Sequence, residues 1–289
     1  MLGQKEDRAQ IEEYLKKQVE TCRCLEPVLQ ESMAYSLMAG GKRIRPMLTL
    51  AFTRLCGGDA EKALPFACAV EMIHTYSLIH DDLPCMDDDA LRRGKPTNHT
   101  VYGEATALLA GDALLTLAFS CLSQAQLPAD QIVQATKELA SQAGAAGMVG
   151  GQSIDLQSEG KNVPIETLFR MDTGKTGALI QAACVLGCLA AGADEQAIRA
   201  AREFAAYVGL AFQIRDDVLD VTGDAGALGK NTGMDEERQK STYVSLLGLT
   251  KAQQQAEELS EKAASALHIF GDKAQELQAF ARALAKRES

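Results

Sequence analysis

The 289-residue sequence predicts an all-α fold, a single-domain bundle spanning residues 1–289 with about ten or more helices around a deep central cavity. Three observations carry this. Ala, Leu, Glu, Gln and Lys dominate, apolar residues recur at three- and four-residue spacing, and runs of alternating β-branched residues are almost absent. Prolines 27, 46, 65, 84, 128 and 164 fall near expected helix ends and divide the chain into helices of ordinary length. Length alone, at roughly 150 residues per domain, suggests two domains, but periodicity resumes after every short Gly- or Pro-containing stretch.

The first element, MLGQKEDRAQIEEYLKK, is helical in pattern and lacks the apolar core of a secretory signal, so the chain is expected to be cytoplasmic. GGKRIRP, Gly40 to Pro46, is a flexible turn carrying Lys42, Arg43 and Arg45 just before a helix, whose N-terminal dipole favours anions. Residues 66–83 read as one helix, apolar at Met72, Ile73, Tyr76, Ile79 and Leu83, with His74, Ser77 and Asp81 on a separate stripe. Pro84 ends it, and HDDLPCMDDDALRRG follows, with five aspartates and then Arg92 and Arg93 side by side. Carboxylates at the negative end of a helix dipole are unfavourable by about 0.3–1 kcal/mol each. A cation is expected there.

Ala182 to Ala193 is the longest nearly apolar run, shorter than the ~18 residues of a minimal membrane span, and reads as a core helix. No stable membrane insertion is expected. A second acidic helix end occurs in GLAFQIRDDVLDVTG, where Gln213, Asp216, Asp217 and Asp220 share one face and Gly223 closes the helix. Behind them Leu210, Gly209 and Ala206 are small or apolar, as for a cavity wall. GDAGALGKNTGMDEERQKS, Gly223 to Ser241, reads as a mobile loop.

The net charge of −10 and pI near 5.0 argue against nucleic acid as a partner. The eight cysteines have no zinc-ligand spacing and are expected to be reduced structural thiols. Two aspartate clusters suit a hard cation with oxygen ligands, Mg²⁺ or a substitute such as Mn²⁺, because calcium EF-hand spacing is absent. Mg²⁺ is usually completed by substrate phosphates, so paired acidic walls imply a polyphosphate clamped through metal, with Arg92 and Arg93 contacting phosphate directly. Either cluster alone is equally readable as a solvated acidic face. The repetition at two helix ends argues for a site.

On these motifs the chain resembles the short-chain trans-prenyltransferases, and within them the bacterial farnesyl diphosphate synthases. HDDLPCMDDDALRRG is similar to their first aspartate-rich motif and FQIRDDVLD to the second. GGKRIRP, GGQSIDL from Gly150, KTG at Lys175 and LGK at Lys230 follow in family order. The resemblance implies an isoprenoid-synthase fold, a homodimer, and head-to-tail condensation of isopentenyl diphosphate with dimethylallyl and geranyl diphosphate, releasing pyrophosphate.

By resemblance, Asp81, Asp87 and Asp216 hold about three Mg²⁺ ions, with Asp82, Asp217 and Asp220 completing the shells. Arg92, Lys175, Lys230 and Lys240 bind the allylic diphosphate, while Thr176, Gln213 and the Lys175 carbonyl face the cation formed from it. Gly41, Lys42, Arg45, His74 and Arg93 hold isopentenyl diphosphate. Tyr76 and Ser77 bound the growing chain, and the loop around Lys230 closes as a lid. The C15 product is expected, with geranylgeranyl diphosphate as the alternative within the family. A terpene cyclase or a non-catalytic helical scaffold or partner subunit are the distant alternatives; GGKRIRP and Arg93, and two intact acidic clusters, argue against them.

Overall fold

A computed structural model describes residues 5–223 and 241–286. Its helices are α1 (Lys5–Thr21), α2 (Pro27–Leu37), α3 (Ile44–Leu55), α4 (Ala60–Asp81), α5 (Asn98–Tyr102), α6 (Glu104–Ser123), α7 (Ala129–Ala143), α8 (Met148–Ser158) and α9 (Ile165–Asp172). A π-helical turn, Thr173–Gly177, joins α9 to α10 (Ala178–Ala190), followed by α11 (Glu195–Thr222), α12 (Tyr243–Leu247), α13 (Leu249–Ala266) and α14 (Gln275–Lys286). The only strands among the described residues are β1 (Leu91–Arg92) and β2 (Lys95–Pro96), a two-stranded hairpin. The all-α expectation holds.

Helix α4 is the axis of the larger apolar core and packs against α3, α6 and α10. It starts six residues before the expected Phe66. The Asp59 side chain caps it, accepting from Glu61 N at 3.0 Å, and Pro65 is carried inside the helix. As the sixth residue of the helix Pro65 lies past the first turn, so the helix continues through it at the cost of the bond its N–H would have made to Glu61 O. The five apolar positions read from the sequence are all buried, whereas His74, Ser77 and Asp81 are only half-buried. The stripe is where α4 is left unpacked.

A second core joins Ala211, Ile214 and Val218 of α11 to Tyr243, Ala252, Ala256 and Leu259. Asp194 caps α11 by accepting from Ala197 N at 2.8 Å. The helix runs 28 residues, about 42 Å at ~1.5 Å per residue, and brings its acidic end beside α12. One expectation fails on this helix. Gly209 leaves no open wall, because a Cβ there would lie 2.9 Å from Gly177 Cα, and Ala206 is exposed to solvent.

Two helical segments are long and apolar enough to cross a membrane by length and hydropathy, Glu104–Ser123 and Ile165–Ala190. The second is mostly buried in the fold, while α6 is only 39% buried and presents Leu108 and Leu109 outward. This exposed apolar face went unnoticed in the sequence, since a helix apolar on most sides reads as core. All eight cysteines are free, with Cys68, Cys121, Cys184 and Cys188 buried.

Candidate active site

The first acidic motif folds back on the helix that precedes it. Pro84 cannot continue α4, and Asp88 takes a left-handed conformation (φ 52°), so the chain turns and Asp87 N donates to Asp81 O at 2.9 Å. Asp81 and Asp87 thus lie at one helix end. Burial, and then the neighbouring Asp87 and Asp155 charges, raise the Asp81 carboxyl, although Lys175 and Arg92 pull it the other way. Burial also pushes Asp82 up to about 6.

The hairpin then sends two adjacent arginines to different places. Arg93 (φ 54°) and Gly94 (φ 74°) form the two-residue turn between Arg92 and Lys95, with the positive φ at both positions that such turns require. Tyr35 Oη donates to Pro96 O at 2.8 Å and pins the hairpin to α2. Arg92 turns to the acids, its Nε and Nη2 each 2.7 Å from Asp82 Oδ1, with Asp89 at 3.7 Å. Arg93 reaches across the fold to donate to Gly40 O.

That second arginine meets the GGKRIRP turn. A Cβ on Gly41 (φ 126°) would lie 2.6 Å from the Arg93 guanidinium, so the close approach needs glycine. Arg43 is left-handed (φ 51°, ψ 35°), which costs a non-glycine residue about 1–2 kcal/mol. Its side chain is fully buried, away from Lys42, and bonds Glu12, Glu71 and Leu37 O. Arg45 Nε is buried without a hydrogen-bond partner. Burial lowers the Arg45 pKa, as does the adjacent Arg93, with Glu71 opposing. Burial and the charges of Arg45, Arg93, Arg92 and Arg43 hold the His74 imidazole well below its ordinary value, and so neutral. Such a cluster of desolvated cations around an unbonded guanidinium nitrogen is complementary to an anion.

Lys175 stands between the first acidic helix end and Asp155 of α8. It sits in the π-helical turn, which packs so closely on α8 that a Cβ on Gly151 would fall 2.0 Å from Lys175 N. Lys175 Nζ bonds Asp155 Oδ2 at 2.6 Å. Burial disfavours its charge, but Asp155, Asp81 and Asp87 together raise its pKa. From the same turn Thr176 Oγ1 donates to Gln213 Oε1 at 3.4 Å, and Gln213 Nε2 donates to Asp217 Oδ1 at 3.3 Å. Asp217 Oδ2 accepts from Tyr243 N at 2.8 Å. Asp217 is therefore turned into the protein and braces α11 against α12, while Asp216 and Asp220 on the same helix are half-buried.

Three residues of this neighbourhood were not picked out as site residues from the sequence: Asp155, Asp172 and Tyr243. Asp155 lies inside the quoted GGQSIDL block, so a signal existed. Asp172 is pushed up to about 8, first by burial and then by Asp217, and had no spacing signal. Ser77 Oγ is spent on His74 O at 2.9 Å, and the Tyr76 ring lies edge-on to His80 with centroids 5.5 Å apart. Lys230, Lys240 and the expected lid lie outside the described residues.

A profile of the polyprenyl synthetase family matches residues 26–279. The chain belongs to that family. A farnesyl diphosphate synthase of Geobacillus stearothermophilus is 51% identical over 78% of this chain and 77% of its own. A geranylgeranyl diphosphate synthase of Cyanophora paradoxa is 50% identical over 90% and 88%. Among solved structures, an apo FPP/GFPP synthase from Zymomonas mobilis superposes with a TM-score of 0.87 at 38% identity, covering 97% of this chain and 96% of that one. The protein is thus a prenyltransferase that extends an isoprenoid chain by condensation, and its family uses a divalent metal.

Residues here fit such a metal. The donors around Asp81 are hard carboxylate oxygens, and a cation would relieve the burial that raises the Asp81 pKa. No three acidic, histidine or cysteine side chains converge into an ion cage among the described residues. A divalent ion held there by one or two carboxylates would take its remaining ligands from water and substrate.

Proposed function

We propose that this prenyltransferase condenses isopentenyl diphosphate with dimethylallyl diphosphate and then with geranyl diphosphate, and releases farnesyl diphosphate. The observation that carries this reading is the separation of charge: Arg92 and Lys175 stand with the aspartates, while Arg45, Arg93 and His74 form a second cationic site among which no aspartate is bonded. Two diphosphates with opposite fates need two such sites.

The allylic diphosphate lies against Asp81, Asp87, Asp216 and Asp220, with Arg92, Lys175, Lys230 and Lys240 on its oxygens. These aspartates would hold about three Mg²⁺ ions, replaceable by Mn²⁺, which would supply charge neutralisation for the departing diphosphate. Its C–O bond breaks, and Thr176 Oγ, Gln213 Oε1 and the Lys175 carbonyl turn their negative ends toward the carbocation. Gly41, Lys42, Arg45, His74 and Arg93 hold isopentenyl diphosphate directly and without metal, so its own C–O bond survives. Its double bond attacks the cation to form the new C–C bond, and the proton then lost goes to the departing pyrophosphate. Asp82 orients Arg92, and Asp217 orients Gln213. Water has to be kept from the reacting atoms, since it would trap the cation as an alcohol.

The Tyr76 ring, 7% exposed, supports a C15 stop, since it lies five residues, about 7.5 Å, below Asp81 along the helix. Near-equal likeness to a farnesyl and a geranylgeranyl synthase supports the C20 product as the second reading. The outward apolar face of α6 supports a homodimer, with no membrane partner required. Incubation with isopentenyl diphosphate, either allylic primer and Mg²⁺, followed by dephosphorylation and chromatography, is the test. Farnesol is expected. Geranylgeraniol selects the second reading, and no prenyl product from either primer overturns both.

A further inference from the structure

We infer that Arg43 and Glu71 form a buried clamp that positions the diphosphate-binding turn, Gly40–Arg45, so that Arg43 is a positioning residue that does not itself touch substrate. This rests on the assignment of isopentenyl diphosphate to Lys42, Arg45 and Arg93. Four hydrogen bonds define the clamp: Arg43 Nε and Nη2 to the two Glu12 oxygens at 2.8 and 3.1 Å, Nη1 to Glu71 Oε1 at 2.7 Å, and Nη2 to Leu37 O at 2.6 Å. They tie one residue of the turn to α1, α2 and α4 at once.

The strained backbone explains why a clamp is needed. Gly40 (φ 89°), Gly41 (φ 126°) and Arg43 (φ 51°) put three of four consecutive residues at positive φ. Two are glycines and adopt this freely, but it is unfavourable for Arg43 and persists only where surrounding contacts impose it. That local reversal buries Arg43 while Lys42 stays exposed and Arg45 enters the cationic cluster. Arg8, donating to Gly41 O at 3.1 Å, and Arg93, donating to Gly40 O, hold the turn at further points. Glu71, 2% exposed, has a further part. It faces Arg43 directly and is the favourable charge felt by both Arg45 and Arg93, so one buried carboxylate keeps three guanidiniums together before an anion arrives.

Lysine keeps the charge at position 43 but lacks the planar fork, and cannot satisfy Glu12, Glu71 and Leu37 O together. Arg43→Lys should therefore raise KM for isopentenyl diphosphate by about tenfold or more, with KM for geranyl diphosphate changed less than about twofold. Amide hydrogen exchange at residues 40–45 should quicken in the same variant. Arg54→Lys is the control, because Arg54 also joins α3 to α1, through Asp7, without touching the turn. It should lower the melting temperature and leave both KM values alone. An unchanged KM for isopentenyl diphosphate in folded Arg43→Lys, or an equal rise in Arg54→Lys, overturns the clamp. Should Arg43→Lys fail to fold, Glu12→Gln on the half-buried arm carries the test, with a rise of about threefold expected and no rise overturning it. Lys42→Ala run in parallel separates the two readings: if it leaves that KM unchanged the substrate assignment fails, and if it alone raises it only the clamp fails.

Discussion

Around Asp81 burial penalises carboxylates, whereas around Arg45 it penalises guanidiniums. Both regions hold like charges close together, and each is relieved by a ligand of the opposite sign. The compensation differs in kind. In the acidic region Arg92 and Lys175 are already bonded to Asp82 and Asp155, so cations are partly built in and metal completes them. In the basic region the internal counter-charge is Glu71, set behind the cluster, and the Arg45 Nε is left for the ligand. On the proposed assignment, the difference teaches how one fold would treat two chemically similar groups unlike: a diphosphate met through metal would be activated to leave, and one met by fixed side chains retained.

The largest way to break this comparison is to remove an acid. Asp81→Ala or Asp216→Ala should lower kcat by about 10³-fold or more, and chelation should abolish turnover, since the lost interactions strengthen as charge develops on the leaving group. Steady-state kinetics with Mg²⁺ in excess checks this; turnover near wild type would remove metal from the acidic region. Next, Lys42→Ala or Arg45→Ala should raise KM for isopentenyl diphosphate by about 10–100-fold, the worth of one charge-assisted hydrogen bond, and spare the allylic KM. If the allylic KM rises instead, the two regions have been exchanged.

A smaller effect tests the space below the acids. Tyr76→Ala should keep the first condensation and shift product from C15 toward C20, seen by chromatography of the dephosphorylated products. An unchanged distribution from a folded enzyme would place the stop elsewhere. The smallest effect sharpens the basic region. His74 is held neutral in the folded chain, while the unfolded chain takes up a proton as pH falls through ~6.5, so the unfolded state binds more protons there and stability falls. Wild type should lose stability relative to His74→Gln by up to about 1.4 kcal/mol per pH unit below ~6.5, and no difference should appear above ~7.5. Urea unfolding between pH 5 and 8 measures it. A gap independent of pH would mean His74 titrates normally and the cationic field around it is weak.

How much was legible in the sequence follows from how local each signal was. Asp81, Asp82 and Asp87 are neighbours along the chain, joined by a helix end and the turn that follows it, while helical spacing alone puts Gln213 to Asp220 together. Asp155 and Asp172 reach the site by long-range packing of α8 and the end of α9, which no periodicity encodes. The separate destinations of Arg92 and Arg93 depended on a two-residue turn whose only local mark was Arg93-Gly94. The start of α4 was misplaced because Pro65 was read as a boundary, when the capping aspartate six residues earlier was the stronger signal.

The π-helical turn at Thr173–Gly177 has a consequence for how this chain tolerates change in length. It holds one residue more than an α-helical path would need, so α9 and α10 are out of phase by about 100°. Deleting a single residue between Asp172 and Ala178 would turn this stretch of the continuous helical segment Ile165–Ala190 into regular α-helix and change the phase between its two halves. Lys175 would then rotate away from Asp155 and Asp81, and Thr176 away from Gln213, with every amino acid named in the site still present. On the proposed roles of Lys175 and Thr176, homologous chains that keep all the charged motifs but are one residue shorter in this turn are expected to have lost the reaction, a diagnosis that counting motifs alone would miss.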